Sequence, residues 1–232
     1  MQKSIRANFI LYSIKEVLTI IVPLLTYPYV SRKLGAESLG IANFASSIVA
    51  YFKLFSALGI SSYAVREGAK WRENRQEFSD FANEIFFLNL ISMMVSVTGC
   101  VCAIFLVEKI EVGVALIYSI TIPLTTIGVE WIYIIYEDFI YITIRTIVVQ
   151  VVSVVATFCA INSSDDYFLY AAIAVLSGGG ASIFNFVHSK KYVDWNLQSV
   201  NIKNVFRRLK PVLTIFGMTI AAEIYLNCYL QK

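Results

Sequence analysis

Four charged residues stand where an apolar chain should exclude them: Lys15, Lys53, Glu130 and Glu223. A lysine at the centre of a membrane helix costs about 2.5–3.5 kcal/mol on insertion scales, so it persists only facing a bundle interior or a wet cavity. At about 1.5 Å per residue, Lys53 lies roughly 16 Å from the far end of its apolar stretch and Lys15 roughly 10 Å from the start of its own. Their helical neighbours are polar or small as well. Asn8, Tyr12, Lys15, Thr19, Thr26 and Tyr29 share one face of the first stretch. Asn43, Ser46, Ala50, Lys53 and Ala57 do so on the second, and Ser119, Pro123, Thr126, Glu130 and Glu137 on the fourth. Three such stripes imply a hydrated cavity between helices. Lys15, Lys53, Asn8, Tyr12, Thr19, Asn43 and Glu130 are the candidates to line a substrate path, with Glu130 and Glu223 as candidates for ion coupling. The competing reading is a structural ion pair such as Lys53 with Glu130.

The elements that must carry these residues are long and apolar. Of 232 residues 58% are hydrophobic and 15% charged, against about 45–50% and about 25% in soluble domains; mean hydropathy is +0.68. A helix crosses a bilayer with about 20 mostly apolar residues, and seven such stretches are legible: Asn8–Val30, Gly40–Ala64, Phe81–Val107, Val112–Tyr136, Thr146–Asn162, Tyr167–Val187 and Pro211–Leu230. The expected fold is an all-α membrane bundle of about seven helices joined by short loops. Pro23, Pro28 and Pro123 interrupt spans, and Gly178-Gly179-Gly180 marks close helix packing in the sixth.

Placing the N-terminus in the cytoplasm puts thirteen Lys and Arg residues inside: Lys3 and Arg6, Arg66 to Arg75, Arg145, and the run Lys190 to Lys210. Only Arg32, Lys33 and Lys109 then fall outside, as the positive-inside rule requires. The segment Arg66–Asp80 reads as a cytoplasmic loop with a short interfacial helix, and Glu84, like Lys15 and Glu16, as a charge free to snorkel. The first helix is retained, because Lys15 and Glu16 interrupt its apolar run.

Composition excludes a cytosolic enzyme, a nucleic-acid binder and a disulfide scaffold. Cys100, Cys102, Cys159 and Cys228 all lie in apolar stretches, and the single histidine, His188, rules out a multi-histidine metal site. No GxSxG, CxxC, HExxH or Walker pattern occurs. No catalytic residue, metal or cofactor is expected.

The run Ser31-Arg-Lys-Leu-Gly35-Ala-Glu-Ser-Leu-Gly40-Ile-Ala-Asn-Phe, with Tyr51-Phe52, Leu58-Gly59-Ile60, Arg66-Glu67 and Asn89, resembles the N-terminal part of polysaccharide flippases. These are the O-antigen and capsule repeat-unit transporters of the multidrug/oligosaccharidyl-lipid/polysaccharide exporter superfamily. The resemblance implies a carrier of undecaprenyl-pyrophosphate-linked oligosaccharide in the bacterial inner membrane, working by alternating access between two six-helix lobes. Its partners would be the lipid-linked oligosaccharide, membrane lipids and other polysaccharide assembly proteins. On that template residues 1–187 form the first lobe, 188–210 a basic cytoplasmic linker, and 211–232 the start of a second lobe. Such flippases have about 12–14 helices, so the chain reads as an N-terminal half, a split product or a non-transporting fragment. The remaining alternatives are a drug or cation exporter of the same superfamily and a membrane glycan polymerase or acyltransferase.

Overall fold

The computed structural model describes the backbone of residues 5–230 and the side chains of residues 8–198, 200–218 and 221. Among them every regular element is a helix. Helix α1 (Ile5–Ala57) contains two spans, because Gly35 at φ 74°, ψ 175° breaks the helical geometry between residues 5–34 and 36–57. That region is essentially reserved for glycine. We call these the first and second arms of α1. Then come α2 (Ile60–Gly68), α3 (Arg75–Leu106), α4 (Val112–Ser119), α5 (Thr121–Ile127), α6 (Glu130–Ile135), α7 (Phe139–Ala160), α8 (Tyr167–Gly179), α9 (Ser182–Ser189) and α10 (Ile202–Leu230).

Five segments are long and apolar enough to cross a membrane: Asn8–Trp71, Arg75–Leu106, Val112–Ile135, Phe139–Ala160 and Ser164–Ser189. The first holds two spans, so six of the seven expected stretches fall within them. Most of the seventh, Pro211–Leu230, lies beyond the described side chains, though α10 is helical across it. The chain is an all-α membrane protein.

Helix α7 shows why this sequence folds as it does. It is rich in Val, Ile and Thr, which are mediocre helix formers in water. In hydrocarbon each backbone N–H and C=O must be satisfied within the segment, and a helix does that. Its faces are inverted relative to a soluble helix: Thr143, Thr146, Gln150, Ser153 and Thr157 are buried, while Ile144, Val148, Val151, Val152 and Val155 are exposed. The first arm of α1, which packs on α7 and α8, likewise exposes Phe9, Ile10, Ile20, Leu24 and Leu25.

Helix α3 is capped by Asn74, whose side chain accepts from the backbone N–H groups of Gln76 and Glu77. It starts six residues before the expected Phe81. It grips the second arm through Ser92 and Ser96, which donate to the backbone oxygens of Phe55 and Phe52 at 3.0 and 2.8 Å. A Cβ on Gly99 would stand 3.2 Å from the Phe52 ring. In the sixth span the triple glycine permits the close approach expected of it, since a Cβ on Gly179 would fall 2.8 Å from Leu124.

The segment after α9 is pinned to α3. Arg75 holds Asp194 through two bonds of 2.9 and 2.7 Å, and Asn83 donates to the Asp194 carbonyl and accepts from the Asn196 N–H. Trp195 sits against Phe86 and Phe186 with ring centroids 4.9 and 5.2 Å away. Glu84 is not a snorkelling charge. It is buried and accepts from Asn204 at 2.7 Å and Arg208 at 2.6 Å, tying the start of α10 to α3.

Candidate functional site

The fourth apolar stretch is not one helix. Val129 adopts a left-handed conformation (φ 37°), uncommon for a β-branched residue, and the helix restarts as α6 at Glu130. Two cations converge on the Glu130 carboxylate. Lys15 arrives from the first arm of α1 with Nζ 2.7 Å from Oε1, and Arg145 from α7 with Nη2 2.9 Å from Oε2. The side chains of Lys15 and Arg145 are only 14% and 11% exposed, so the cluster joins three elements in a poorly solvated place. Lys15 also reaches Glu16 at 3.0 Å.

The cluster lines a cavity of about 680 Å³ between the first arm of α1 and α5 to α9. The other polar walls are mostly hydroxyls, with two carboxamides: Thr19 and Thr26 of α1, Thr125 of α5, Gln150, Ser153 and Thr157 of α7, and Asn185 of α9. Trp131, Tyr170 and several aliphatic side chains complete the lining. Many of these hydroxyl protons are engaged locally: Thr19 donates to Glu16, Thr26 to Val22, Ser153 to Val149 and Thr157 to Ser153, at 2.7–3.0 Å. Their oxygens therefore meet the cavity as acceptors.

The structure brings only part of the expected set together. Lys15, Thr19 and Glu130 line the cavity. Asn8 and Tyr12 line a separate, smaller pocket of about 390 Å³ with Phe9 and Glu137, and Asn8 donates to Glu137 at 3.0 Å. Asn43 and Lys53, on the second arm, line neither. Among the described residues Lys53 has no ion pair or hydrogen bond, so the anticipated Lys53–Glu130 pair is replaced by Lys15–Glu130–Arg145. The side chain of Glu223 lies outside the described residues.

The positive-inside pattern puts Arg145 in a cytoplasmic loop before a fifth span starting at Thr146. Helix α7 in fact begins at Phe139. The available signal was the spacing of Thr143, Thr146, Gln150, Ser153 and Thr157, an unbroken polar stripe. It runs back past Arg145 to Thr143, which puts Arg145 within the helix rather than in a loop before it.

The chain matches, over residues 5–228, the family described as Polysaccharide biosynthesis protein. A protein of Escherichia coli (strain K12) named "Putative O-antigen transporter" is 23% identical over 228 residues, covering 96% of this chain and 54% of that relative. The chain thus spans about half the length of the curated relative it matches. No solved structure matches it. With the family match running almost from end to end of an all-α membrane chain, this chain belongs to the polysaccharide biosynthesis protein family.

Proposed function

We propose that the chain takes part in moving undecaprenyl-pyrophosphate-linked oligosaccharide repeat units across the bacterial inner membrane, as a flippase without catalytic residues. The observation that carries this reading is the Lys15–Glu130–Arg145 cluster on a polar cavity inside an otherwise apolar bundle, in a chain of this family. A solute with sugar hydroxyls and negative charge needs hydrogen-bonding walls and positive compensation to leave water for lipid depth, and this cavity offers both.

Within the proposal, residues 1–187 form the first lobe of a two-lobe exporter, 188–210 a cytoplasmic segment docked on α3, and 211–232 the beginning of the second lobe. Lys15, Thr19 and Glu130 serve the path through the cavity. Asn8 and Tyr12 serve its neighbouring pocket, and Asn43 and Lys53 a separate stretch along the second arm. Glu130 and Glu223 are the acids proposed for ion coupling. Membrane lipids and other polysaccharide assembly proteins are the proposed partners, and the N-terminus is proposed to be cytoplasmic.

Removing the gene for this chain from its bacterium tests the proposal. Surface polysaccharide should be lost and lipid-linked repeat units should accumulate on the cytoplasmic face. A plasmid copy should restore export, and the Lys15→Ala copy should not. Unchanged surface polysaccharide in the deletion strain would refute the reading.

A further inference from the structure

Resting on the reading that this chain handles glycans, we propose that the cavity among α1, α6 and α7 is a sugar-binding site that prefers a sugar bearing one negative charge, and that this charge takes the place of Glu130 on Arg145.

The cavity's charges do not balance. Its lining holds two cations, Lys15 and Arg145, and one anion, Glu130. Glu16 also touches Lys15 at 3.0 Å, from outside the lining and with a 45% exposed side chain, so the uncompensated positive charge rests mainly on Arg145. Arg145 commits one nitrogen to Glu130, and among the described residues its Nε–H is buried with no acceptor. A guanidinium suits a carboxylate because it can present two parallel N–H groups. A monoanionic ligand would both neutralise the lining and use donors left idle.

The rest of the lining fits the body of a sugar. Ser153 and Thr157 have given their protons to backbone carbonyls and can only accept from a ligand hydroxyl. Gln150 supplies the complement. Its Oε1 accepts from Ser177 at 3.2 Å, and its amide nitrogen has no acceptor among the described residues although the side chain is buried. Acceptors and a donor thus lie along one stripe of α7, and Arg145 lines the same cavity from an earlier turn of that helix. Trp131 and Tyr170 add aromatic surface for the apolar faces of sugar rings. The volume of about 680 Å³ lies within the range of small-molecule sites and admits more than one ring.

The cluster also gives binding a mechanical consequence. Glu130 is the one acid of the lining, and it holds the first arm of α1 to α6 and α7. A ligand carboxylate that grips Arg145 through the idle Nε–H and Nη2 competes with Glu130 for Nη2 and loosens that three-element tie. Occupancy and the position of the first arm are then linked, each altering the other by the same free energy.

The test is saturation-transfer NMR on the full chain in nanodiscs, with glucuronate, glucose and inorganic phosphate as probes at equal concentration. Glucuronate should bind in preference to glucose, and phosphate should displace it only weakly. Arg145→Gln should abolish the preference. Glu130→Gln removes the internal competitor and should tighten glucuronate by about tenfold, within the usual range for coupled sites. Circular dichroism and elution volume check that both variants fold, and the comparison of probes on the unaltered chain stands whatever they do. Equal binding of glucose and glucuronate overturns the charge preference while leaving the glycan reading intact. Phosphate that displaces glucuronate fully assigns the site to a phosphate head group and overturns the sugar proposal. Binding of neither sugar overturns it too, whereas the transport reading stands or falls on the deletion strain.

Discussion

At the scale of single residues, what separates Lys15 from Lys53 is partnership. Both are lysines within apolar spans, but Lys15 is bonded to Glu130 and Glu16, while Lys53 has no charged partner among the described residues. Removing one member of a paired, desolvated cluster leaves an uncompensated charge, which is more harmful than losing the pair's net attraction. Glu130→Leu should therefore be the most damaging change in the cluster, lowering stability by about 1–3 kcal/mol, because it strands Arg145 and half-frees Lys15. Lys15→Leu should be milder, since Arg145 still holds Glu130. The double change Glu130→Leu with Arg145→Leu should recover much of the loss. Lys53→Leu should leave thermal stability unchanged or raise it, because it removes an unpaired charge at membrane depth. Melting temperatures in detergent rank the four. A Lys53→Leu protein as unstable as Glu130→Leu would show that Lys53 has a partner after all.

At the scale of elements, polar spacing was legible in the sequence and chain breaks were not. The apolar blocks located six spans, and of the stripe Asn8, Tyr12, Lys15, Thr19, Thr26 and Tyr29 on the first arm, Lys15, Thr19 and Thr26 line the cavity while Asn8 and Tyr12 line the smaller pocket. The breaks at Leu58 and at Val129 place positive φ on a Leu and a Val, and the propensity of neither residue announces that. Tertiary packing imposes them, and with them the restart that aims Glu130 at Lys15. The break at Gly35 is different, because glycine is what its backbone requires. Gly35→Ala meets open space around the new Cβ, so its cost of about 1–3 kcal/mol arises from the backbone alone and should appear as a lower melting temperature with no loss of packing. The docked segment after α9 was equally hidden, since its basic run looked like solvated linker. The Arg75 guanidinium bonded to Asp194 holds that carboxyl below its ordinary pKa. A lowered carboxyl contributes stability above its ordinary pKa and loses it as pH falls through the lowered value. Protection from hydrogen exchange at residues 192–196, taken relative to the intrinsic rate at each pH, should therefore be high at neutral pH and fall in acid, and Asp194→Asn should already lower it at neutral pH.

At the scale of the whole molecule, the fold gathers its basic segments at one end. Arg72 reaches Glu137 at 2.8 Å, Arg75 reaches Asp194 at 2.7 Å, and Arg208 reaches Glu84 at 2.6 Å. Asn8 bonds Glu137 as well, so the start of the first arm belongs to this end. The other end carries the turn at Gly35 and the loop before α8: Val30, Leu34 and Leu39 pack with Ile161, and the Tyr29 hydroxyl donates to the Ile161 carbonyl at 2.9 Å. Lys and Arg are held on the cytoplasmic side during insertion, so the end holding Arg72, Arg75, Lys190 and Lys191 should be cytoplasmic and Asn162–Asp166 should face outward. Glu73 and Ser164 are both exposed, which makes them suitable for single-cysteine labelling after Cys100, Cys102, Cys159 and Cys228 are replaced. In intact cells a membrane-impermeant maleimide should label Ser164→Cys and spare Glu73→Cys, and in inverted vesicles the pattern should reverse. Because the two positions lie at opposite ends of one bundle, labelling of both from one side would contradict the fold itself. A clean exchange of sides would instead overturn only the orientation, and would place the Lys15–Glu130–Arg145 cluster nearer the outer face, where it would meet a transported glycan last rather than first.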